Sequence, residues 1–338
     1  MLEVKKMSEP QKIIKNRAEI IFLYDVKDAN PNGDPADENK PRIDEETGVN
    51  IVTDVRIKRT IRDYLHDFKE QEIFVKEIVN EEGKIQDAKA RARDFLEGAE
   101  GTLKEQMDKI KSNILSKCID VRLFGATIPI ELSVKKKKKG TDSATEDEES
   151  AEKTSSITLI GPVQFKMARS LHEVELKYIK GTGAFASKAG KEQKTFREEW
   201  IVPYSLICVY GIINENAAKE TNLTEDDVQL LLDGLWNGTK NLISRSKVGQ
   251  VPRLLIKVNY TEKNYHIGDL DKLVKIKSTV PDEQLRDISE VELDISELIK
   301  TLQNNKEKIA SIEYMIDERV KVSPDLRSLG LGLIQLNL

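Results

Sequence analysis

Asn30, Asn32 and Gly33 stand in the run NPNGDP at 30–35, residue types that together can hold an anion on backbone alone. Asn and Gly permit left-handed backbone, and Asn side chains satisfy loop amides. Successive N–H groups in such a turn can cradle a phosphate. The same composition also makes an ordinary tight loop that needs no ligand. A second set is Thr53, Arg56, Lys58, Arg59 and Arg62. A helix starting there would aim its first amides at a phosphate and add four cations. The alternative is a solvated helix face whose charge Asp54, Asp63 and Asp67 partly neutralise. A third set lies between 177 and 200, where six Lys or Arg face three Glu. Lys180, Lys188, Lys191, Lys194 and Arg197 would line a protruding hairpin, with Phe185 at its glycine-rich tip. Cations along a path bind phosphates without regard to sequence, and an exposed ring can wedge against a base. The plain reading is an exposed hairpin with a stray Phe. Arg245 and Lys247, in SRSK, and Arg253 make a fourth basic cluster.

Other chemistries find little support. GTGAFA at 181–186 fits G-x-G-x-x-A, but SKAGKEQK follows it with no apolar helical period and no strand–helix unit surrounds it, so it is no dinucleotide site. A Walker A motif is absent, and His66, His172 and His266 form no HxH or HExxH pattern. Cys118 and Cys208 belong to no CxxC. They point to a reducing cytoplasm without a disulfide framework or zinc site. Asp28, Asp34 and Asp37 cluster in the first loop, in a chain whose charged fraction of 33% already implies many surface carboxylates.

These residues need elements to position them. AEIIFLYDVK at 18–27 reads as a buried strand. A helix is expected over 53–69, with Ile57, Ile61, Tyr64, Leu65 and Phe68 on one face. Residues 70–115 read as a helical insertion, and 118–132 as strand or buried core. The stretch 133–156, a lysine block followed by an acidic block, reads as a disordered loop. Strands are expected over 157–168, 200–213 and 251–261. A helix is expected over 224–246, with a Thr224–Asp227 capping pair, and another over 295–318. The order strand, helix, strand, strand, helix, strand is that of a ferredoxin-like α+β fold, shared by RNA-recognition-motif (RRM-like) domains. The net charge of −5 gives no hint of a nucleic-acid binder, but binding depends on where positive charge sits. No run approaches the ~20 apolar residues of a membrane span, so a cytoplasmic protein is expected.

The runs FLYDVKDANPNGDP, NIVTDVRIKRTIRDYL, DVRLFGA, GPVQF, KEQKTFREEWIVPYSLICVYGIINENAA and GLWNGTKNLISRSKVGQVPRLLIKV occur in this order between about 18 and 275. Together they resemble the Cascade backbone subunit of type I CRISPR systems, the Cas-seven family, and most closely its type I-B branch. The resemblance implies an RRM-like palm at 18–69 and 157–275, with a thumb hairpin at about 170–200. It implies a helical fingers insertion at 70–156 and a C-terminal extension at 276–338. It implies copies stacked head to tail along one CRISPR RNA, gripped by the 30–42 loop with Arg42, the 53–62 helix start and the 177–197 hairpin. Sequence would then be read by base pairing with target DNA, and the protein would read backbone shape. Only the inner groove need be positive, which reconciles the acidic net charge. Implied partners are a small RAMP cap, a large subunit and a repeat-processing endonuclease. The type I branch implies no enzyme, cofactor or metal. The alternatives are a RAMP-type nuclease using a loop aspartate on target RNA, and a general single-strand nucleic-acid-binding protein.

Overall fold

A computed structural model describes residues 12–79, 83–98, 102–135, 150–186 and 194–338, with backbone alone at 132–135, 150–153, 182–186 and 194–197. In chain order the elements are β1 (Ala18–Ala29), β2 (Gly33–Asp34), β3 (Lys40–Pro41), β4 (Val49–Val52), α1 (Asp54–Lys69), α2 (Ala88–Arg93), α3 (Leu103–Lys117) and α4 (Ile119–Phe124). Then come β5 (Gly125–Lys135), β6 (Ser150–Ile160), β7 (Val163–Phe165), β8 (Ala168–Glu173), β9 (Lys177–Ala186) and β10 (Lys194–Ile213). They are followed by α5 (Glu215–Thr221), α6 (Glu225–Lys240), β11 (Gln250–Tyr260), β12 (Lys275–Ser278) and β13 (Val291–Asp294). The last are α7 (Ser296–Asn304), β14 (Ile309–Ile316), β15 (Lys321–Ser323) and β16 (Leu333–Gln335). Contacts divide the chain into two units. The molecule is a mixed α+β protein.

The larger unit comprises Ile14–Tyr64, Val163–Glu215 and Gln229–Leu338. Its nine-stranded sheet runs β16-β14-β11-β1-β10-β8-β4, with β7 and β9 also paired to β10. β1 sits between β10 and β11, antiparallel to both. Its apolar run Ile20–Tyr24 follows from burial on both faces. Ile21 and Leu23 join Leu254, Ile256, Leu293, Leu298 and Ile312 in one core. Phe22 and Tyr24 face the other way, toward Ile57 and Ile61 of α1 and Leu235 of α6. At Gly234 an added Cβ would meet Ile61 Cγ2 at 2.9 Å, so the two helices approach closely there. Tyr64 Oη donates to Asp233 at 2.9 Å beside this crossing.

The other unit comprises Met1–Ile13, Leu65–Pro162 and Asn216–Val228. Phe74, Phe95, Ile110, Ile114, Ile128 and Leu159 belong to its core. Asp120 is buried and accepts the amides of Phe74 (2.8 Å) and Val75 (3.1 Å).

Several boundaries differ from expectation. The run at 118–132 opens as helix α4 before entering β5, because a short apolar run fits a buried turn of helix as well as a strand. The ends of the expected loop 133–156 are strand: Ser133 pairs with Glu152 and Lys135 with Ser150. Hairpin arms extend by backbone bonds whatever their composition. Residues 136–149 lie outside the described set. α6 meets its predicted start, with Asp227 N donating to Thr224 Oγ1 (3.2 Å) and Thr224 N to Asp227 Oδ2 (3.1 Å). It ends at Lys240, six residues early. The expected helix 295–318 stops at Asn304, and Ile309–Ile316 pair with β11 as β14. Phe68, expected in the buried stripe of α1, is 58% exposed. Among the described residues no helix is long and apolar enough to cross a membrane.

Candidate nucleic-acid interface

β1 delivers the chain into the NPNGDP turn within the larger unit. Asn30 is buried, and its Nδ2 donates to Asn39 O at 2.7 Å. Glu38 and Asn39 both take positive φ, which closes the short β2–β3 hairpin. Gly33 is required by space: an added Cβ would lie 2.1 Å from Asn39 Oδ1 and 2.7 Å from Asn39 O. Asn32 Oδ1 accepts from both Thr53 N (2.8 Å) and Thr53 Oγ1 (2.9 Å), locking the turn to the start of α1. Thr53 caps the helix, accepting from Arg56 N at 3.3 Å. Asp34 accepts from Arg42 Nη1 at 2.6 Å and Asp37 from Lys40 Nζ at 2.7 Å, so each carboxylate is engaged by a neighbouring cation.

Two cations on α1 are matched by carboxylates of the same helix. Lys58 pairs with Asp54 (2.9 Å) and Arg59 with Asp63 (2.7 Å), each one helical turn away. Arg62 is half-buried on the same helix. Arg56 differs. It is half-buried, and its Nη2 donates to Thr60 Oγ1 at 3.1 Å, a neutral partner. Lys247 is held the same way. It is half-buried, and its Nζ donates to the carbonyl oxygens of Asn30 (2.5 Å) and Pro31 (3.0 Å). Burial, reinforced by the Arg56 charge, lowers the Lys247 ammonium to about 8. Among the described residues neither Arg56 nor Lys247 makes an ion pair. Two desolvated like charges whose hydrogen-bond partners are neutral gain from an added anion, beyond the attraction Arg56 already has to Asp63.

Lys247 lies in the turn at 241–249 that follows α6. Asn30 N donates to Ser246 O (2.9 Å) and Lys27 N to Gly249 O (3.1 Å), so the turn is sewn to the end of β1. Gly249 has φ 102°, and an added Cβ would sit 2.6 Å from Lys27 O. Arg245 pairs with Glu199 on β10.

β9 and β10 pair antiparallel, with Trp200 opposite Tyr178 and Arg197 opposite Gly181, and the glycine run 181–186, expected at the tip with Phe185, lies instead in the β9 arm because its backbone pairs with 194–197. The Tyr178 and Trp200 rings lie 5.1 Å apart, and Lys40 Nζ sits 5.3 Å from the Trp200 centroid. This cluster joins the hairpin root to the NPNGDP loop. Lys180 pairs with Glu198 at 3.3 Å. Lys188 and Lys191 lie outside the described residues, and only the backbone of Phe185, Lys194 and Arg197 is described.

The structure thus brings Asn30, Asn32, Gly33, Arg42, Thr53, Arg56 and Lys247 together. Arg253 stands apart. It is 4% exposed, between Asp25 (2.9 Å) and Asp317 (2.5 Å), and acts inside the core rather than at the surface. Its position in β11 turns it inward, which a cluster of basic residues in sequence does not reveal. Lys40, Trp200 and Tyr178 were missed. Cross-strand register and a cation over a ring are tertiary facts, although Trp200 in a chain with 5% aromatics was a visible signal.

Known proteins resemble the chain at both levels. Residues 16–296 match the family described as CRISPR-associated protein Cas7. A protein of Haloferax volcanii described as CRISPR-associated protein Cas7 is 35% identical over 312 residues, covering 91% of this chain and 88% of that protein. A chain from a structure titled "CRISPR RNA-guided surveillance complex" superposes with TM-score 0.50 at 14% identity, over 96% of this chain and 95% of that one. A second, titled "CRISPR RNA-guided surveillance complex, pre-nicking", gives TM-score 0.50 at 12% identity, over 95% and 97%. At such identities these two show likeness of fold.

Proposed function

The chain belongs to the Cas7 family of CRISPR-associated proteins, and from that premise we propose that it binds CRISPR RNA along its backbone as the repeated subunit of a type I Cascade surveillance complex. The observation that carries this reading is the Arg56–Lys247 pair beside the NPNGDP turn. The pair is rigidly placed, half-buried and partnered by neutral atoms, as a phosphate site needs. Arg42, Lys40 and the β9–β10 hairpin extend the track. Copies stack head to tail on one guide, alongside a cap subunit, a large subunit and a repeat-processing endonuclease. The exposed bases pair with target DNA.

The palm is RRM-like in this reading. The antiparallel order β11-β1-β10-β7, with α1 following β1 and α6 preceding β11, supports it. Residues 70–156 act as fingers, the hairpin of β9 and β10 as thumb, and 276–338 as an extension. The quoted motifs support the type I-B branch, and the two unpaired cysteines support a cytoplasmic protein. The reading assigns no catalysis: Asp34 and Asp37 are engaged by Arg42 and Lys40, which disfavours a loop-aspartate nuclease.

The test is binding of labelled single-stranded RNA across a salt series. Arg56→Gln with Lys247→Gln should weaken binding and make log K against log salt shallower by about 1.4, the contribution of two phosphates. An unchanged slope would refute the site.

A further inference from the structure

The turn at 241–249 is anchored along its length, by Ser246 O, by Gly249 O, by Lys247 on two carbonyls and by Arg245 on Glu199. Inside it, the amides of Lys247 (3.0 Å) and Val248 (2.8 Å) both return to Ser244 O. Yet this fixed turn shows solvent two large aliphatic side chains, Ile243 at 78% and Val248 at 55% exposure. Val55, next to Arg56 in the first turn of α1, is 67% exposed. The two places are joined by contacts, since Thr53 bonds Asn32 and Lys247 bonds Pro31. Three exposed aliphatic side chains thus lie on the two segments that carry the half-buried cations. Scattered exposed apolar residues are ordinary, but three on the segments that carry Arg56 and Lys247, two of them on a turn held by its own hydrogen bonds, mark an interaction surface.

An occupant of this surface must bring negative charge to Arg56 and Lys247 and nonpolar area to the rim. Single-stranded RNA brings both on one chain, as phosphates and as the faces of ribose and unpaired base. We propose that Val55, Ile243 and Val248 form a nonpolar ledge that packs against ribose and base faces of the strand whose phosphates Arg56 and Lys247 hold. The inference rests on the guide-binding reading and adds a division of labour to it. The cations give the salt-dependent part of the affinity, through counterion release. The ledge gives a salt-independent part, through removal of apolar surface from water.

The experiment compares the full chain with Ile243→Ser/Val248→Ser and with Arg56→Gln/Lys247→Gln, using a fluorescently labelled single-stranded RNA across a salt series. The ledge variant should bind about tenfold more weakly at every salt concentration with the wild-type slope. Val55→Ser, on a different element, should do the same to a smaller degree and guards against a fault in the turn. Wild-type affinity in the ledge variant, while the cation variant is weakened, would overturn this inference and leave the guide-binding reading standing. Weaker binding with a shallower slope would also overturn it, because the turn would then act only by placing Lys247. Wild-type RNA affinity with altered self-association in sedimentation would assign the ledge to a second copy and overturn it too. A cation variant that binds like wild type would instead remove the reading on which the inference rests.

Discussion

The Lys247 ammonium donates to the Asn30 carbonyl oxygen at 2.5 Å, joining two turns 217 residues apart in sequence. One turn ends β1 and the other follows α6, so the cation sits where both deliver backbone to one surface. Its amine is lowered to about 8, first by burial and then by the Arg56 charge. A phosphate stabilises the charged form, so RNA binding above that value must take up a proton. Affinity should hold from neutral pH to near 8 and then fall as pH rises. Lys247→Arg should flatten the decline. Titrations at fixed salt from neutral to alkaline pH check this.

Gly33 is placed so that any Cβ collides with Asn39. Gly33→Ala should destabilise the protein by about 1–3 kcal/mol in urea unfolding. It should also weaken RNA binding, because the turn that carries Asn32 onto Thr53 shifts.

Arg253 holds Asp25 inside the core. Arg253→Met strands that carboxylate and should cost about 3–5 kcal/mol of stability. The salt slope of RNA binding by the folded fraction should match wild type, which separates this arginine from Arg56.

Elements along the chain were legible to different degrees. β1, α1 and the start of α6 follow from apolar runs, helical spacing and the Thr224–Asp227 cap, all local signals. The end of α6 was not, because tertiary bonds to Asn30, Lys27 and Glu199 decide that 241–249 is a turn. β14 was read as helix because its partner β11 is remote in sequence. The same limit applies to the site. Arg56, Lys247 and Arg253 look alike as residues, and only burial and partner atoms tell two surface-facing cations from a core ion pair.

His172, in β8, is buried, with Nδ1 donating to Glu173 O (2.7 Å) and Nε2 accepting from Leu206 N (3.1 Å). Burial lowers its pKa from the ordinary 6.5. The unfolded chain therefore takes up a proton first, and stability is lost as pH falls through 6.5. Thermal unfolding at neutral and mildly acidic pH should show that loss. His172→Gln should flatten it at lower overall stability.

The central claim is assembly on a guide. The most direct measurement is electron microscopy, with the absorbance ratio, of the purified protein mixed with CRISPR RNA and its partner subunits at moderate salt. The account predicts RNA-bearing helical arrays whose protected positions repeat at a regular spacing. Protein that stays monomeric and free of nucleic acid under those conditions would contradict it.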